Sequence, residues 1–160
     1  MRVAILTISD SVSRGTSKDA SGPNLRARCA QLGWDVVEEA VLPDEPAEIR
    51  SRLVSLADAG AADVVLTTGG TGIGPRDSTP EATAEACQKL LPGFSELMRE
   101  EGRKKTPRAV LSRALAGVRG RTVIVNLPGS PRGAVESLDA VAELFPHALQ
   151  VLGGARHDEK

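Results

Sequence analysis

From Thr67 to Ala82 the chain reads TTGGTGIGPRDSTPEA, where glycines, hydroxyls and an arginine–aspartate pair directly follow an apolar run. Gly69, Gly70 and Gly72, around Thr71, let the backbone turn with positive φ and approach a ligand closely, leaving N–H groups free to face an anion. A helix pattern follows, and a helix N-terminus favours negative charge. A phosphate cradle is the chemistry such a loop supports. It is not a Walker loop, since no Gly-Lys-Ser/Thr is present, and the dinucleotide spacing fails at Pro75. From the glycines alone, a tight strand-to-helix turn stays open as the alternative.

Asp77 in that loop and Asp44 in LPDE each follow a strand pattern, close to prolines that stiffen the chain. Two carboxylates beside a phosphate loop suit Mg²⁺, a hard cation that takes oxygen ligands and is commonly shared with substrate phosphates. For both aspartates, capping of the following helix is the competing role. Arg76 fits either phosphate oxygens, gripped in bidentate fashion, or a surface carboxylate. Ser9 and Asp10 offer a hydroxyl and a carboxylate to a polar ligand, or else form a local side-chain turn. In NLPGSP, Asn126, Pro128, Gly129 and Ser130 are candidates to line a pocket, with Ser130 also suited to cap a helix starting at Pro131. The two histidines, His147 and His157, fall on the last helix and in the tail, so no nucleophile–base pair is visible. Transfer between phosphates fits this inventory, because a substrate phosphate is itself a nucleophile.

The elements that must carry these residues alternate. VAILTI (3–8), DVVEEAVL (35–42), DVVLTT (63–68) and TVIVNL (122–127) read as strands. Leu25, Cys29 and Leu32 mark one helix face, and Ile49, Leu53 and Leu56 mark another that starts at Pro46 and ends by Gly60. A helix is predicted from an N-cap at Thr79 to about Leu91, another from Phe94 to Glu101, and a last one from Pro131 or Gly133. Its apolar face is Ala134, Leu138, Val141 and Phe145, with a kink or restart at Pro146. VRGR suggests a small antiparallel element, and GGARHDEK a frayed tail. The pattern predicts one three-layer α/β domain over residues 1–160 with a mostly parallel central sheet. In such sheets ligands bind beyond the carboxyl ends of the strands. Every candidate loop named above falls at that edge.

Composition narrows the classes further. At 160 residues with 41% hydrophobic content, the chain can bury a core without disulfides or metals. A net charge of −1 and only three aromatic residues, Trp34, Phe94 and Phe145, argue against a nucleic-acid binder. Cys29 and Cys87 form no metal-type pair and read as buried apolar side chains. The first residues read as a strand and not as a signal peptide, and no run is long enough to cross a membrane, so the cytoplasm is the expected compartment.

TTGGTG followed by PRDSTPEA, then PGF, LSRALAGVRG and VIVNLPGSP, resembles the molybdenum-cofactor biosynthesis family that contains the MoaB and Mog proteins. The similarity runs from ILTISD to the final helix. It implies a homotrimer or a hexamer, and adenylylation of molybdopterin by Mg-ATP. There the terminal phosphate of the pterin attacks the α-phosphate and displaces pyrophosphate, and the product goes on to a molybdate-inserting protein. By resemblance, Asp44 and Asp77 are the catalytic and Mg²⁺-holding pair, and Gly69, Gly70, Thr71 and Gly72 form the nucleotide loop. Ser9, Asp10, Ser112 in LSR, and Asn126 to Ser130 contact pterin or nucleotide. The chain departs from the family at Ser78, usually apolar, and lacks an insertion some members carry before the last helix. A non-catalytic molybdopterin carrier is the alternative, and an unrelated nucleotide-binding regulator a third; a passive carrier has no need of the aspartate pair. The segment from Arg103 to Arg121, with few apolar residues for its length, is the candidate to pack against a neighbouring subunit.

Overall fold

The computed structural model describes residues 1–154. Four apolar runs form the parallel part of one six-stranded sheet: β1 (Arg2–Ile8), β2 (Asp35–Leu42), β3 (Val64–Thr68) and β6 (Thr122–Leu127). β5 (Ala116–Arg119) turns back against β6, and the two-residue β4 (Lys89–Leu90) pairs antiparallel with β5. The strand order is β2-β1-β3-β6-β5-β4. β1, β3 and β6 are buried on both faces, which is why they read as unbroken apolar runs. β2 lies at one edge, half covered, and tolerates its glutamates.

Side-chain alternation along the strands feeds two cores. Val3, Ile5, Val64, Leu66, Val123 and Val125 point to the face covered by α2 (Ser21–Gln31), α5 (Pro92–Arg103), α6 (Pro131–Val141) and α7 (Phe145–Leu152). Phe145, fully buried there, meets Trp34 and Phe94 edge-on. Ala4, Leu6, Ile8, Val65 and Ile124 point to the other face, covered by α3 (Pro46–Asp58) and α4 (Thr79–Ala86). Ile49, Leu53 and Leu56, the stripe read from the sequence, anchor α3, and truncating the fully buried Leu53 to alanine would cost about 2–5 kcal/mol. The result is the three-layer α/β sandwich with a small antiparallel part.

Several boundaries differ from expectation. α4 stops at Ala86 and not near Leu91, because Cys87 turns extended and the N–H groups of Gln88 and Leu91 donate to Val118 and Ala116 of β5. Edge pairing wins over helix continuation there, and Pro92 then restarts a helix. Ser78, not Thr79, occupies the N-cap position of α4, without a side-chain capping bond. The loop after β1 contains one helical turn, α1 (Asp10–Ser13), capped by Ser9, whose Oγ accepts from the Val12 N–H. Within the segment from Arg103 to Arg121, Ala116, Gly117 and Val118 belong to the sheet and are buried in this chain. Only the 3₁₀ turn Pro107–Leu111 exposes apolar side chains, Val110 and Leu111. Cys29 and Cys87 are free, and burial pushes both thiols up to about 11, in keeping with inert apolar packing. His147 lies exposed on α7; His157 and most of the expected frayed tail lie outside the described residues. No described helix is long and apolar enough to cross a membrane.

Candidate functional site

Parallel strands deliver their following loops to one rim. The β3–α4 loop begins with Gly69 and Gly70 at φ +105 and +64. A Cβ on Gly69 would stand 2.2 Å from the Ile8 carbonyl oxygen, and one on Gly70 would stand 2.3 Å from Thr79 Oγ1 and 3.0 Å from Asp44 Oδ1. Only glycine permits both the backbone angle and the close approach. The loop is tied to the β6–α6 loop, since the Gly69 N–H donates to the Leu127 carbonyl (3.1 Å) and Thr68 Oγ1 donates to the Pro128 carbonyl (2.7 Å).

Neither candidate aspartate caps the helix that follows it, since Glu45 and Ser78 hold those N-cap positions. The Asp44 Oδ2 accepts from the Asp10 N–H (2.9 Å), and the Asp44 N–H donates back to Asp10 Oδ1 (3.0 Å), so the loops after β1 and β2 are clipped together reciprocally. The Asp77 Oδ2 accepts from the Gly74 N–H (2.9 Å), folding its own loop. Oδ1 of each carboxylate accepts no protein hydrogen bond among the described residues. Burial, followed by the like charges of Asp10 and Asp77, pushes the Asp44 carboxyl above the usual carboxylate range. Asp10 moves the other way, held low first by the Arg76 guanidinium and then by the Asp44 N–H.

Two cavities open on this rim and share Gly70, Asp77 and Gly129 as their common ridge. One, of about 530 Å³, is walled largely by apolar groups such as Ile73, Met98, Ala109 and Pro128, with Ser112, Ser130 and Glu136 as polar points. The other, of about 440 Å³, is polar and is lined by Ser9, Lys18, Asp19, Asp44, Asp77 and Gly69 among others. Asp44 and Asp77, 33 positions apart in sequence by numbering, thus face one depression.

Most of the other candidates sit around this ridge, with Asp10, Arg76 and Asn126 as exceptions. Thr71 and Gly72 line the first cavity with Ser112, Pro128, Gly129 and Ser130. Ser130 is also the N-cap of α6, its Oγ accepting from the Gly133 N–H. Asn126 does not line a pocket. It is fully buried; its amide donates to Thr67 and Thr83 hydroxyls and its Oδ1 accepts from the Leu115 N–H, so its polar atoms are spent supporting the strands beneath the site. Arg76 takes the second of its two expected roles, with Nε and Nη2 donating to Asp10 and Nη2 also to Glu45. Asp10 itself is a clasp between loops. Thr79 and Arg113 do not stand out in the sequence as site residues. The Thr79 hydroxyl is buried beneath Gly70 with no hydrogen-bond partner among the described residues, and Arg113, next to Ser112 in the LSR triplet, reaches the glycine loop. The one signal for Arg113 is its adjacency to Ser112.

Among the described residues, no three acidic, histidine or cysteine side chains gather into a metal cage. A pair of carboxylates with open oxygens fits Mg²⁺, which is usually held by one or two carboxylates together with phosphates and waters. The arrangement can therefore align a charged phosphate chain along the ridge, against an apolar-walled pocket for a less charged ligand part.

A family model described as a probable molybdopterin binding domain matches residues 4–147. The chain is 39% identical over 156 residues to a protein of Helicobacter pylori named molybdopterin adenylyltransferase, covering 96% of this chain and 89% of that one. The crystal structure of the molybdopterin biosynthesis enzyme MoaB from Thermus thermophilus superposes with a TM-score of 0.90 at 50% identity, covering 96% of this chain and 97% of that chain. The tungsten cofactor synthesizing protein MoaB from Pyrococcus furiosus superposes with a TM-score of 0.85 at 33% identity, covering 94% and 96%.

Proposed function

The chain belongs to this family of molybdopterin binding domains, and from that premise we propose that it adenylylates molybdopterin with ATP. The observation that carries the proposal is the meeting of Asp44, Asp77 and the Gly69–Gly70 turn in the polar cavity, with Gly70 and Asp77 on the ridge it shares with the apolar-walled one. The pterin ring system takes the larger cavity, and the nucleotide phosphates cross the ridge into the polar one, where Lys18 is the cationic wall residue.

In the step proposed, an oxygen of the pterin's terminal phosphate forms a bond to the α-phosphorus of ATP. The bond from that phosphorus to the bridging oxygen of the β-phosphate breaks, and pyrophosphate leaves with the electron pair. The attacking oxygen is already anionic, so the protein supplies alignment and charge stabilisation and no covalent intermediate. Gly69 and Gly70 keep the backbone low enough for phosphates to approach. Ser112 and Ser130 offer polar contacts in the larger cavity, and the Asp10–Asp44 clip and the Arg76 clasp hold the loops in register. Asp44 and Asp77 would hold Mg²⁺, which when bound supplies neutralisation of phosphate charge.

ATP as co-substrate supports a cytoplasmic setting, and the adenylylated product is a reasonable cargo for a molybdate-inserting protein. Val110 and Leu111, exposed side by side on the 3₁₀ turn, support assembly as a homotrimer or a hexamer; a monomeric mass at micromolar concentration would contradict that assembly. The test of function is incubation with Mg-ATP and molybdopterin followed by mass detection. The proposal expects the pterin to gain an adenylyl group with matching pyrophosphate release. Binding of pterin with no nucleotide transfer would overturn it and favour the carrier alternative.

A further inference from the structure

Arg113 stands between the 3₁₀ turn and β5, 36 positions from Asp77 in sequence, yet it grips the loop that carries Asp77. Its backbone N–H donates to the Thr71 carbonyl (2.9 Å). Its Nε donates to the Gly72 carbonyl (2.7 Å) and its Nη2 to the Asp77 carbonyl (3.0 Å). Gly72 and Asp77 are the two ends of one exposed excursion of chain, so a single guanidinium closes its neck. Within the excursion the described hydrogen bonds are Asp77 N–H to the Gly74 carbonyl (3.1 Å) and Gly74 N–H to Asp77 Oδ2 (2.9 Å).

The guanidinium is itself fixed. Its Nη1 donates to Glu81 in the first turn of α4, and that arginine holds the Glu81 carboxyl below the usual carboxylate range. The Arg113 donors therefore face two carbonyls and a carboxylate of the protein, and the residue acts on the site through the loop. The Nε and Nη2 hydrogens share one edge of a rigid plane and can meet two carbonyls at once, which a lysine ammonium on a flexible stem cannot reproduce.

We infer that Arg113 is a positioning residue: by closing the neck between Gly72 and Asp77 it sets the Asp77 carboxylate at the ridge between the two cavities. This rests on the adenylyl-transfer proposal, because the value of a set carboxylate is the alignment of phosphates there.

The test compares Arg113→Ala, Arg113→Lys and Asp77→Asn in the full chain. Arg113→Ala should lower kcat by about 10- to 100-fold, the scale of a small misplacement at a reacting centre. KM for molybdopterin should change by less than about threefold, since the guanidinium binds the loop and not the substrate. Arg113→Lys should stay impaired, and added guanidinium ion should restore part of the kcat of Arg113→Ala. In an Asp77→Asn background, Arg113→Ala should add no further loss. Wild-type kcat in Arg113→Ala, or losses that multiply in the double variant, would overturn the inference. Should Arg113→Ala not fold, Glu81→Gln, which loosens the guanidinium without removing it, should show the same kcat loss in smaller measure, and no loss would overturn it. Amide exchange at Gly74 and Asp77 reads the brace without turnover. It should quicken in Arg113→Ala and slow again with guanidinium ion, and unchanged exchange would contradict the brace. Failure of the wild-type chain to form adenylylated pterin is a separate result, and it counts against the function and not the brace.

Discussion

Both rims of the sheet carry arginine-paired aspartates, Asp63 with Arg2 at one and Asp10 with Arg76 at the other, and they differ in what stands beside them. At the amino-terminal rim, Asp63 accepts from the Arg2 N–H (2.7 Å) and the Arg2 guanidinium (2.8 Å), and Arg2 holds its carboxyl below the usual range. Asp58 is likewise engaged by two nitrogens of Arg119. At the carboxyl rim, Asp44 has no ion-paired cation among the described residues, and burial raises its carboxyl. The glycines divide in the same way. Gly60 at the far rim turns with φ +60 into open space, whereas Gly70 turns with φ +64 against Thr79 and Asp44. Acids given full partners hold strands together; acids left with an open oxygen beside a bare backbone turn are available to something outside the chain.

The sharpest way to break this contrast is to neutralise one acid from each rim. Asp44→Asn and Asp77→Asn should each lower adenylyl transfer by about 100-fold or more, the order seen when a group stabilising developing charge is removed. Each asparagine keeps an oxygen for the loop N–H it accepts, so the thermal midpoint should hold, and for Asp44→Asn hold or rise. Asp63→Asn should do the reverse, keeping activity and costing about 1 kcal/mol once solvent screening of a half-exposed pair is allowed for. That corresponds to about 2–4 °C in the melt of a domain this size. Loss of activity in Asp63→Asn equal to that of Asp44→Asn would erase the distinction.

Next in size, Gly70→Ala should cost about 1–2 kcal/mol of left-handed strain plus about 1–3 kcal/mol of overpacking, and most of the activity. Gly60→Ala should cost about 1–2 kcal/mol in a melt, from the strain alone, and leave kinetics unchanged. The smallest effect is the dependence on pH. The folded pKa of Asp44 is raised, so its contribution to stability is fully present below the unfolded value and is lost as pH rises through the folded one. That of Asp63 is lowered, so its contribution is present above the unfolded value and lost as pH falls through the folded one. Asp44→Asn should therefore flatten the first slope in a melt-versus-pH series and Asp63→Asn the second. If Asp44 holds Mg²⁺ as proposed, the metal competes with its proton, and the acid limb of the rate should move down in pH as Mg²⁺ is raised; an acid limb blind to Mg²⁺ would separate Asp44 from the metal.

The layers and the rim are readable in the sequence because they rest on local periodicity. VVLTT and TVIVNL read as buried parallel strands, and the loops after DVVEEAVL and VVLTT are then expected at the same carboxyl edge. The common rim of Asp44 and Asp77 is thus an expectation of the sequence, and their facing one cavity is a finding of the structure. What stays hidden rests on partners far along the chain. Arg76 meets Asp10 across 66 positions, Asn126 spends its amide on Thr83 across 43, and Arg113 closes the glycine loop across 41. Neither propensity nor spacing encodes those pairings. α4 reads too long in the sequence because Cys87 to Leu91 have ordinary helical composition, and the pull of the β5 edge is tertiary.

The most direct test of the central claim is a crystal structure of the chain with Mg²⁺ and a non-hydrolysable ATP analogue. One metal ion should take oxygens from Asp44, Asp77 and the phosphate chain at about 2.0–2.1 Å. Nucleotide phosphates bound elsewhere, with neither carboxylate in coordination reach, would contradict it.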